Sequence, residues 1–394
     1  MKYLTRTVWT LSIISLLTDM ASEMLYPVTP LYLQQIGFSV ALIGVLEGIA
    51  EAAAGLSKGY FGKRSDLLGK RVPFVQLGYA ISAIAKPLIA IFTFPLWVFL
   101  MRTADRLGKG IRTGARDAML SNEASWQTKA RIFGFHRSMD TLGAVLGPLL
   151  ALLFLHFYPQ EYRTLFFLAL IPGILAVLVS LQLHEQKQLP AFQTKKVSSW
   201  AIFSYWKVNA PLYKKLVAGL LIFTLFNSSD MFLLLQAKQV VKDDRAVVGI
   251  YIFYNLVYAL FAFPLGILAD RIGLKKVFII GLALFATVYG GMALAKREDV
   301  LIALFFLYGV YAAATEGVAK AWIANIVQPQ DMATAMGTFT GLQSICALLA
   351  SSLTGFLWLQ FGAPVALLTT AIATLSLIAY FCFLPNSVRK IGNF

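Results

Sequence analysis

Twelve long apolar stretches follow one another along the chain, and they constrain its fold more than any other feature. A helix needs about 20 predominantly apolar residues to cross the hydrocarbon core of a bilayer. Only 13% of the residues are charged, whereas soluble domains average about 25%. The sequence therefore predicts an all-α integral membrane protein. Its twelve expected transmembrane helices lie near residues 9–33, 40–61, 73–93, 96–116, 132–157, 164–183, 214–236, 247–269, 276–295, 300–326, 333–360 and 364–384.

Basic residues set the expected orientation of these helices. Cytoplasmic loops of membrane proteins are enriched in Lys and Arg, and most of the 34 Lys and Arg residues fall on the cytoplasmic side when the N-terminus is placed there. We therefore expect a multi-pass protein of a bacterial inner membrane with both termini in the cytoplasm. The first apolar stretch is expected to be retained as a span, since no cleavage pattern of a signal peptide follows it. The net charge of +15 then reflects topology, and no nucleic-acid partner is expected.

The chain divides into two halves that repeat the same landmarks. A polar, basic stretch at 185–213 separates residues 1–184 from residues 214–394. The sequence "GKRSDLLGKR" in the first half corresponds to "GILADRIGLKK" in the second, and their acids, Asp66 and Asp270, lie 204 positions apart. Internal repeats of this kind are typical of secondary transporters. We expect two pseudo-symmetric six-helix bundles joined by a cytoplasmic linker, with a short cytoplasmic tail after the second bundle.

These repeated loops resemble the cytoplasmic signature G-x-x-x-D-R-x-G-R-[RK] of the major facilitator superfamily, and the resemblance covers essentially the whole chain. The second copy is complete apart from one substituted position, whereas Leu67 replaces the Arg after Asp66 in the first copy. The resemblance implies rocker-type alternating access, with both loops in a cytoplasmic gate. We expect Arg112 or Arg116, at the cytoplasmic end of the fourth span, to pair with Asp66. The expected gate residues are Gly62, Asp66, Gly69, Arg112, Arg116, Gly266, Asp270 and Arg271.

Two further patterns resemble the proton-coupled drug and metabolite antiporters of that superfamily. Arg106 and Gly110 match an R-x-x-x-G pattern on the fourth helix. The stretch "GAVLGPLLA" carries Gly143, Gly147 and Pro148 of a fifth-helix pattern, although the Gly pair that closes this pattern is replaced. The resemblance favours an exporter. The alternative is that these small residues simply allow close packing between membrane helices.

Apart from the basic residues that we assign to the cytoplasmic ends of the spans, fourteen charged residues lie inside the expected spans, eleven of them in the first half. A charge at mid-bilayer costs at least about 2.5 kcal/mol, so these side chains are expected to face protein or water. Eight acids against six bases leave an excess of carboxylates, and a carboxylate without a cation in a low-dielectric site tends to bind a proton. The alternative is a set of internal salt bridges that neutralise one another. The proton-coupling candidates are Asp19, Glu23, Asp140 and Asp230.

The expected function is proton-coupled secondary transport that exports a small organic compound or drug, since no nucleotide-binding P-loop is present. The alternative is uptake or export of an anionic metabolite such as a carboxylate siderophore. Arg102 and Arg106 would then bind carboxylates through paired hydrogen bonds. By depth in the membrane, these two arginines are expected level with Glu23 and Asp19 of the first span. The expected substrate-cavity residues are Arg102, Arg106, Tyr251, Tyr254 and Glu316.

Other functional classes find little support in the residues. No hydrolase motif or Cys/His pair stands in a suitable context, so no enzyme activity is expected. The three histidines lack the spacing of a metal site. Cys346 and Cys382 lie in apolar runs and do not suggest a disulfide framework. We expect a monomer without metal or cofactor, whose partners are a small-molecule substrate, H⁺ and the lipid bilayer.

Overall fold

The computed structural model describes residues 4–38, 40–185, 211–241 and 244–384, and every regular element within these ranges is helical. Most of the expected linker and the expected cytoplasmic tail, at 186–210 and 385–394, lie outside the described residues. The helices are α1 (Arg6–Leu25), α2 (Thr29–Gln35), α3 (Val40–Leu68), α4 (Val72–Ile89), α5 (Pro95–Asn122), α6 (Lys129–Phe157), α7 (Tyr162–Leu168), α8 (Leu170–Ser180), α9 (Pro211–Phe226), α10 (Met231–Val241), α11 (Asp244–Ile272), α12 (Leu274–Leu294), α13 (Glu298–Ile326), α14 (Met332–Phe361) and α15 (Ala363–Phe383).

Each of the twelve expected spans coincides with one helix or with two consecutive helices. The first, sixth and seventh spans are broken into the pairs α1–α2, α7–α8 and α9–α10. In the first span the break falls at Pro27, because proline lacks a backbone N–H and its ring clashes with the preceding helical turn. The prediction of an all-helical membrane fold is confirmed.

Ten helical stretches in the described part of the chain are long and apolar enough to cross a membrane by composition alone. α3 and α5 are not among them, because both carry several charged side chains. α5 packs against both α3 and α4. Contact among these helices gives the charged side chains protein partners in place of lipid.

The described helices form two compact units. The first unit comprises residues 1–123, 136–205 and 329–344, and the second comprises residues 124–135, 206–328 and 345–394. Each unit therefore combines most of one half of the chain with one short segment from the other half. In the first unit that segment contains the beginning of α14, and in the second it contains the beginning of α6.

Small residues bring α6 close to α1 in the first unit. A Cβ atom on Gly143 would stand 2.3 Å from the carbonyl oxygen of Leu16, and one on Gly147 would stand 2.6 Å from that of Met20. Contacts this short cannot be tolerated, so any larger residue would push the two helices apart. Close helix packing therefore accounts for both glycines of the antiporter-like pattern.

The second unit has an aromatic interior and an apolar exterior. Phe223, Phe278 and Phe285 are buried, and the ring centroid of Phe223 lies 6.4 Å from that of Phe278 and 5.1 Å from that of Phe285. On the outside, the side chains of Leu359 and Phe383 are 85% and 89% exposed. Such exposure is expected where helices face hydrocarbon, because lipid tails are as apolar as these side chains.

Candidate functional site

The loop between α3 and α4 binds the beginning of α14 within the first unit. Gly69 has a φ of 60°, which glycine adopts without strain, and it turns the chain between the two helices. Asp66 accepts hydrogen bonds from the backbone N–H and the hydroxyl of Thr334, at 2.6 and 2.7 Å, and from the N–H of Ala333 at 3.3 Å. N–H groups in the first turn of a helix have no acceptor within the helix. The carboxylate therefore caps α14.

Arg71 is the cation beside Asp66. Its guanidinium lies 3.4 Å from the carboxylate and donates a hydrogen bond to the carbonyl oxygen of Pro329 at 3.0 Å. Burial raises the pKa of Asp66 to about 7, although Arg71 and the hydrogen bonds from Thr334 oppose this shift. Burial also lowers the pKa of Arg71, against the attraction of Asp66. Asp66 therefore changes its charge near neutral pH.

The structure does not contain the expected ion pair between Asp66 and Arg112 or Arg116. The guanidinium of Arg112 lies over a tyrosine ring of α4, 4.4 Å from the ring centroid, and that of Arg116 lies 3.1 Å from Asp117. Asp66 instead meets Arg71, which follows directly after the turn. Arg71 lies only five positions from Asp66 along the chain, so it is near Asp66 in any arrangement of the helices. It is therefore the cation beside Asp66, where we expected an arginine of α5.

The loop between α11 and α12 repeats this arrangement in the second unit. Gly273, with a φ of 104°, makes the turn. Asp270 accepts hydrogen bonds from the backbone N–H groups of Ala130 and Arg131, both at 3.0 Å, and from the Nε of Arg131 at 2.8 Å. These N–H groups lie in the first turn of α6. Arg271 is exposed. Both copies of the repeated signature thus place a carboxylate on the first turn of a long helix.

Gly62 and Gly266 allow these close approaches. A Cβ atom on Gly62 would stand 2.3 Å from the carbonyl oxygen of Ala333, and one on Gly266 would stand 2.5 Å from that of Ala130. Both distances are well below van der Waals contact. Each signature therefore combines a glycine that admits the neighbouring helix with an acid that caps it.

The two arginines of α5 that were expected in the substrate cavity, Arg102 and Arg106, form ion pairs with acids of their own unit. Arg102 donates two hydrogen bonds to Glu47 of α3, at 2.7 and 2.9 Å, and lies 3.4 Å from Asp105. Lys86 of α4 also contacts Asp105, at 2.8 Å. Arg106 meets Glu47 at 3.7 Å and the neighbouring acid of α3, Glu51, at 3.0 Å. The two arginines that the anionic-substrate alternative requires already have carboxylate partners.

Two of the four proton-coupling candidates lie together. The carboxyl groups of Asp19 on α1 and Asp140 on α6 are within hydrogen-bonding reach of each other. Asp140 also accepts hydrogen bonds from the hydroxyl of Ser15 and the guanidinium of Arg137. Lys109 is close enough to interact electrostatically with Asp19.

The other two candidates lie apart from this pair. Glu23 is close enough to interact electrostatically with Asp19 and with Arg106, whereas depth in the membrane placed it level with Arg102. Asp230 lies in the second unit, where its carboxylate accepts hydrogen bonds from the hydroxyls of Tyr254 and Tyr308, the latter at 2.5 Å.

The remaining cavity candidates belong to the surroundings of Asp230. The ring of Tyr251 meets that of Tyr254 edge-on, with the centroids 5.5 Å apart. Glu316 on α13 is exposed and interacts electrostatically with Asp230. The structure thus brings Tyr251, Tyr254 and Glu316 together around one acid, in a different unit from Arg102 and Arg106.

Sequence reasoning missed three residues of these sites. Arg71 stands at the closing basic position of the loop signature, so the motif did carry a signal for it. Tyr308 lies three positions before another tyrosine in "YGVY", which places both on one helical face. Thr334 carried no signal, because its contact with Asp66 joins residues 268 positions apart.

The comparisons with known proteins agree on one family. Residues 11–253 and 242–394 match the family model described as Major Facilitator Superfamily. An uncharacterised MFS-type transporter of Methanocaldococcus jannaschii is 34% identical over 362 residues, which cover 90% of this chain and 89% of that protein.

Solved structures show the same fold. The human organic anion transporter MFSD10 superposes with a TM-score of 0.80 at 17% identity, covering 95% of this chain and 99% of that chain. The fucose:proton symporter of E. coli superposes with a TM-score of 0.77 at 13% identity, covering 96% and 98%. Together with the family match and the membrane-spanning helices, these findings show that the chain is a multi-pass membrane transporter, not an enzyme, and that it belongs to the major facilitator superfamily.

Proposed function

We propose that the protein is a proton-coupled secondary transporter and that Asp19 and Asp140 carry the coupling proton. The observation that carries this proposal is the contact between their two carboxyl groups. Two ionised carboxylates at this distance repel each other, so such a pair binds one proton between its members. Ser15 and Arg137 donate hydrogen bonds to Asp140, which favours its ionised form. Asp19 is therefore the member that binds and releases the proton.

Alternating access supplies the step that moves the proton. While Asp19 contacts Asp140, the shared proton is held; when the contact is broken and water reaches the pair, the proton is released. We place the gate for this change at the loop signatures. The capping of α14 by Asp66 and of α6 by Asp270 is a contact that can form in one state and break in another.

The transported compound is proposed to be a small organic molecule that leaves the cell across a bacterial inner membrane, with both termini in the cytoplasm. The direction rests on the antiporter-like fourth-helix pattern of Arg106 and Gly110, and the orientation of the termini rests on the distribution of Lys and Arg. The anionic alternative loses support, because Arg102 and Arg106 are bound by Glu47 and Glu51. An anion would have to displace these carboxylates before it could bind.

Proton movement in proteoliposomes tests the proposal. Purified protein is reconstituted with a trapped pH-sensitive dye, and a panel of tetraphenylphosphonium, ethidium, benzoate and citrate is added in turn. We expect one class of compound to trigger proton movement, and we expect Asp19→Asn to reduce the rate at least about tenfold. Asp299→Asn is the matched control, since it makes the same chemical change at an exposed side chain, and it should leave the rate unchanged. Equal rates in the wild type and Asp19→Asn would contradict the assignment.

A further inference from the structure

The helix break that contains Asp230 is an unusual place for a charge. α9 ends at Phe226 and α10 begins at Met231, so the intervening backbone lies outside both helices. Within a membrane, non-helical backbone is tolerated only where protein covers it or where it lines a water-filled cavity. Asp230 is partly exposed, whereas Ser228 beside it is buried. In transporters, interrupted helices of this kind lie at ion and substrate sites.

Asp230 does not serve as an ordinary helix cap. The N–H of Phe232, which a side chain capping α10 would bind, is paired with the carbonyl oxygen of Ser229 at 3.1 Å. Both carboxylate oxygens of Asp230 instead accept hydrogen bonds from tyrosine hydroxyls, one from Tyr254 on α11 and one from Tyr308 on α13. Helix capping therefore does not explain why an acid stands at this position.

The partners of Asp230 differ from those of the other acids. Among the residues that the structure describes, no Lys or Arg side chain forms an ion pair with Asp230; its hydrogen-bond partners are the two tyrosines. Glu316 adds a second negative charge close enough to interact with it. A carboxylate that has hydrogen-bond donors but lacks a cation can accept a positive group that enters from outside.

Aromatic rings surround this acid. The centroid of the Tyr254 ring lies 5.5 Å from that of Tyr251, 5.3 Å from that of Tyr308 and 6.1 Å from that of Phe305. Tyr251 remains partly exposed. The faces of aromatic rings attract cations, most strongly where water is excluded, and this is how proteins recognise quaternary ammonium groups. The surroundings therefore suit an organic cation.

A metal cation suits this site less well. Ca²⁺ takes six to eight oxygen ligands and Mg²⁺ demands near-octahedral oxygen coordination. Within the described residues, no group of three or more His, Cys, Asp or Glu side chains could hold a metal ion. The aromatic rings and the carboxylate of Asp230 instead suit a large cation with an apolar surface.

We propose that Asp230, with Tyr251, Tyr254 and Tyr308, binds the positively charged group of the transported substrate, a monovalent organic cation. This inference rests on the proposed transport function, since it names the substrate class of that transporter. The carboxylate supplies the negative charge, the two tyrosine hydroxyls orient the carboxylate, and the aromatic rings supply a surface that attracts the cation.

Two ions of matched shape and opposite charge test the proposal. Equilibrium binding of radiolabelled tetraphenylphosphonium and tetraphenylborate is measured on purified protein in nanodiscs, with empty nanodiscs subtracted for partition into lipid. We expect the wild type to bind the phosphonium at least about tenfold more tightly than the borate. Asp230→Asn should weaken phosphonium binding at least about tenfold, while Asp230→Glu should keep most of it. Tyr254→Phe, which retains the ring, should weaken it by about threefold.

The outcomes separate this inference from the proton proposal. Asp299→Asn, at an exposed side chain that belongs to neither site, should bind tetraphenylphosphonium as the wild type does, whereas proton movement by Asp19→Asn tests the proton proposal alone. Equal binding of the two ions, binding of neither, or unchanged phosphonium binding in a folded Asp230→Asn would overturn the inference. If Asp230→Asn does not fold, the comparison of the two ions on the wild type and on Asp230→Glu decides the question.

Discussion

In the first unit, the acids of α3 and α5 face arginines and a lysine, whereas the acid at the helix break of the second unit faces tyrosines. Glu47 and Asp105 share Arg102, and Lys86 completes the set. Asp230 is bound by two hydroxyl groups. A buried charge that is paired within the protein depends on its partner, because removal of that partner leaves an uncompensated charge. Asp230 has no Lys or Arg partner in the part of the chain that the structure describes, and such an acid is available to a ligand.

The largest expected effect breaks the pairing in the first unit. Arg102→Gln leaves Asp105 with Lys86 and Glu47 with the more distant Arg106. Breaking a fully buried pair costs about 3–5 kcal/mol, and we expect a smaller loss here because each acid keeps one cation and Glu47 is partly exposed. We expect a marked fall in the thermal unfolding temperature of the purified protein. Asp230→Asn is the matched comparison from the second unit. Its side-chain oxygen still accepts a hydrogen bond from a tyrosine, so we expect a change in the free energy of unfolding within about 1 kcal/mol.

The double variant Arg102→Gln with Glu47→Gln sharpens this comparison. Removing both charges should restore part of the lost unfolding temperature, because the carboxylate that lost its nearer cation is then gone. If Arg102→Gln and Asp230→Asn lower the unfolding temperature equally, the distinction between paired and available acids is wrong.

A smaller, pH-dependent effect is expected at the loop signature. The pKa of Asp66 is raised to about 7 where it caps α14, compared with about 3.9 for a free aspartate. Protonation of Asp66 is therefore favoured in the capped state. The stability that this protonation gives to the capped state is fully present below about pH 4 and is lost as the pH rises through about 7. We expect acid conditions to hold the contact and alkaline conditions to release it.

Hydrogen exchange of the peptide containing Ala333 and Thr334 measures this effect. After correction for the intrinsic pH dependence of exchange, protection should fall between about pH 4 and pH 7 in the wild type and level off above that. Asp66→Asn should remove the pH dependence. The same dependence in both proteins would show that Asp66 is not the titrating group.

Hydropathy predicted the helices well, because a bilayer requires long apolar segments. The repeated loops also placed Asp66 and Asp270 at corresponding positions, and both cap a helix in the structure. The partners were harder to predict. Helical periodicity gives the face on which Arg112 and Arg116 lie, but it does not give the neighbouring helix, and in the structure neither arginine meets Asp66.

The grouping of the membrane-embedded acids was beyond sequence reasoning for the same reason. Asp19 and Asp140 are 121 positions apart, and depth in the membrane alone did not bring them together. Composition did indicate that acids exceed bases within the spans. Which acid meets an arginine, another acid or a tyrosine depends on how α1, α3, α5 and α6 pack, and that packing is visible only in the structure.

The measurement that most directly tests the central claim is infrared spectroscopy of the carboxyl stretching band, because the claim is that Asp19 and Asp140 share one proton. Spectra of the purified wild type, Asp19→Asn and Asp299→Asn are recorded above about pH 8, where Asp66 is largely ionised. We predict that the wild-type spectrum minus that of Asp19→Asn contains a protonated-carboxyl band, and that the difference with Asp299→Asn does not. A wild type and an Asp19→Asn variant with identical bands would contradict the account.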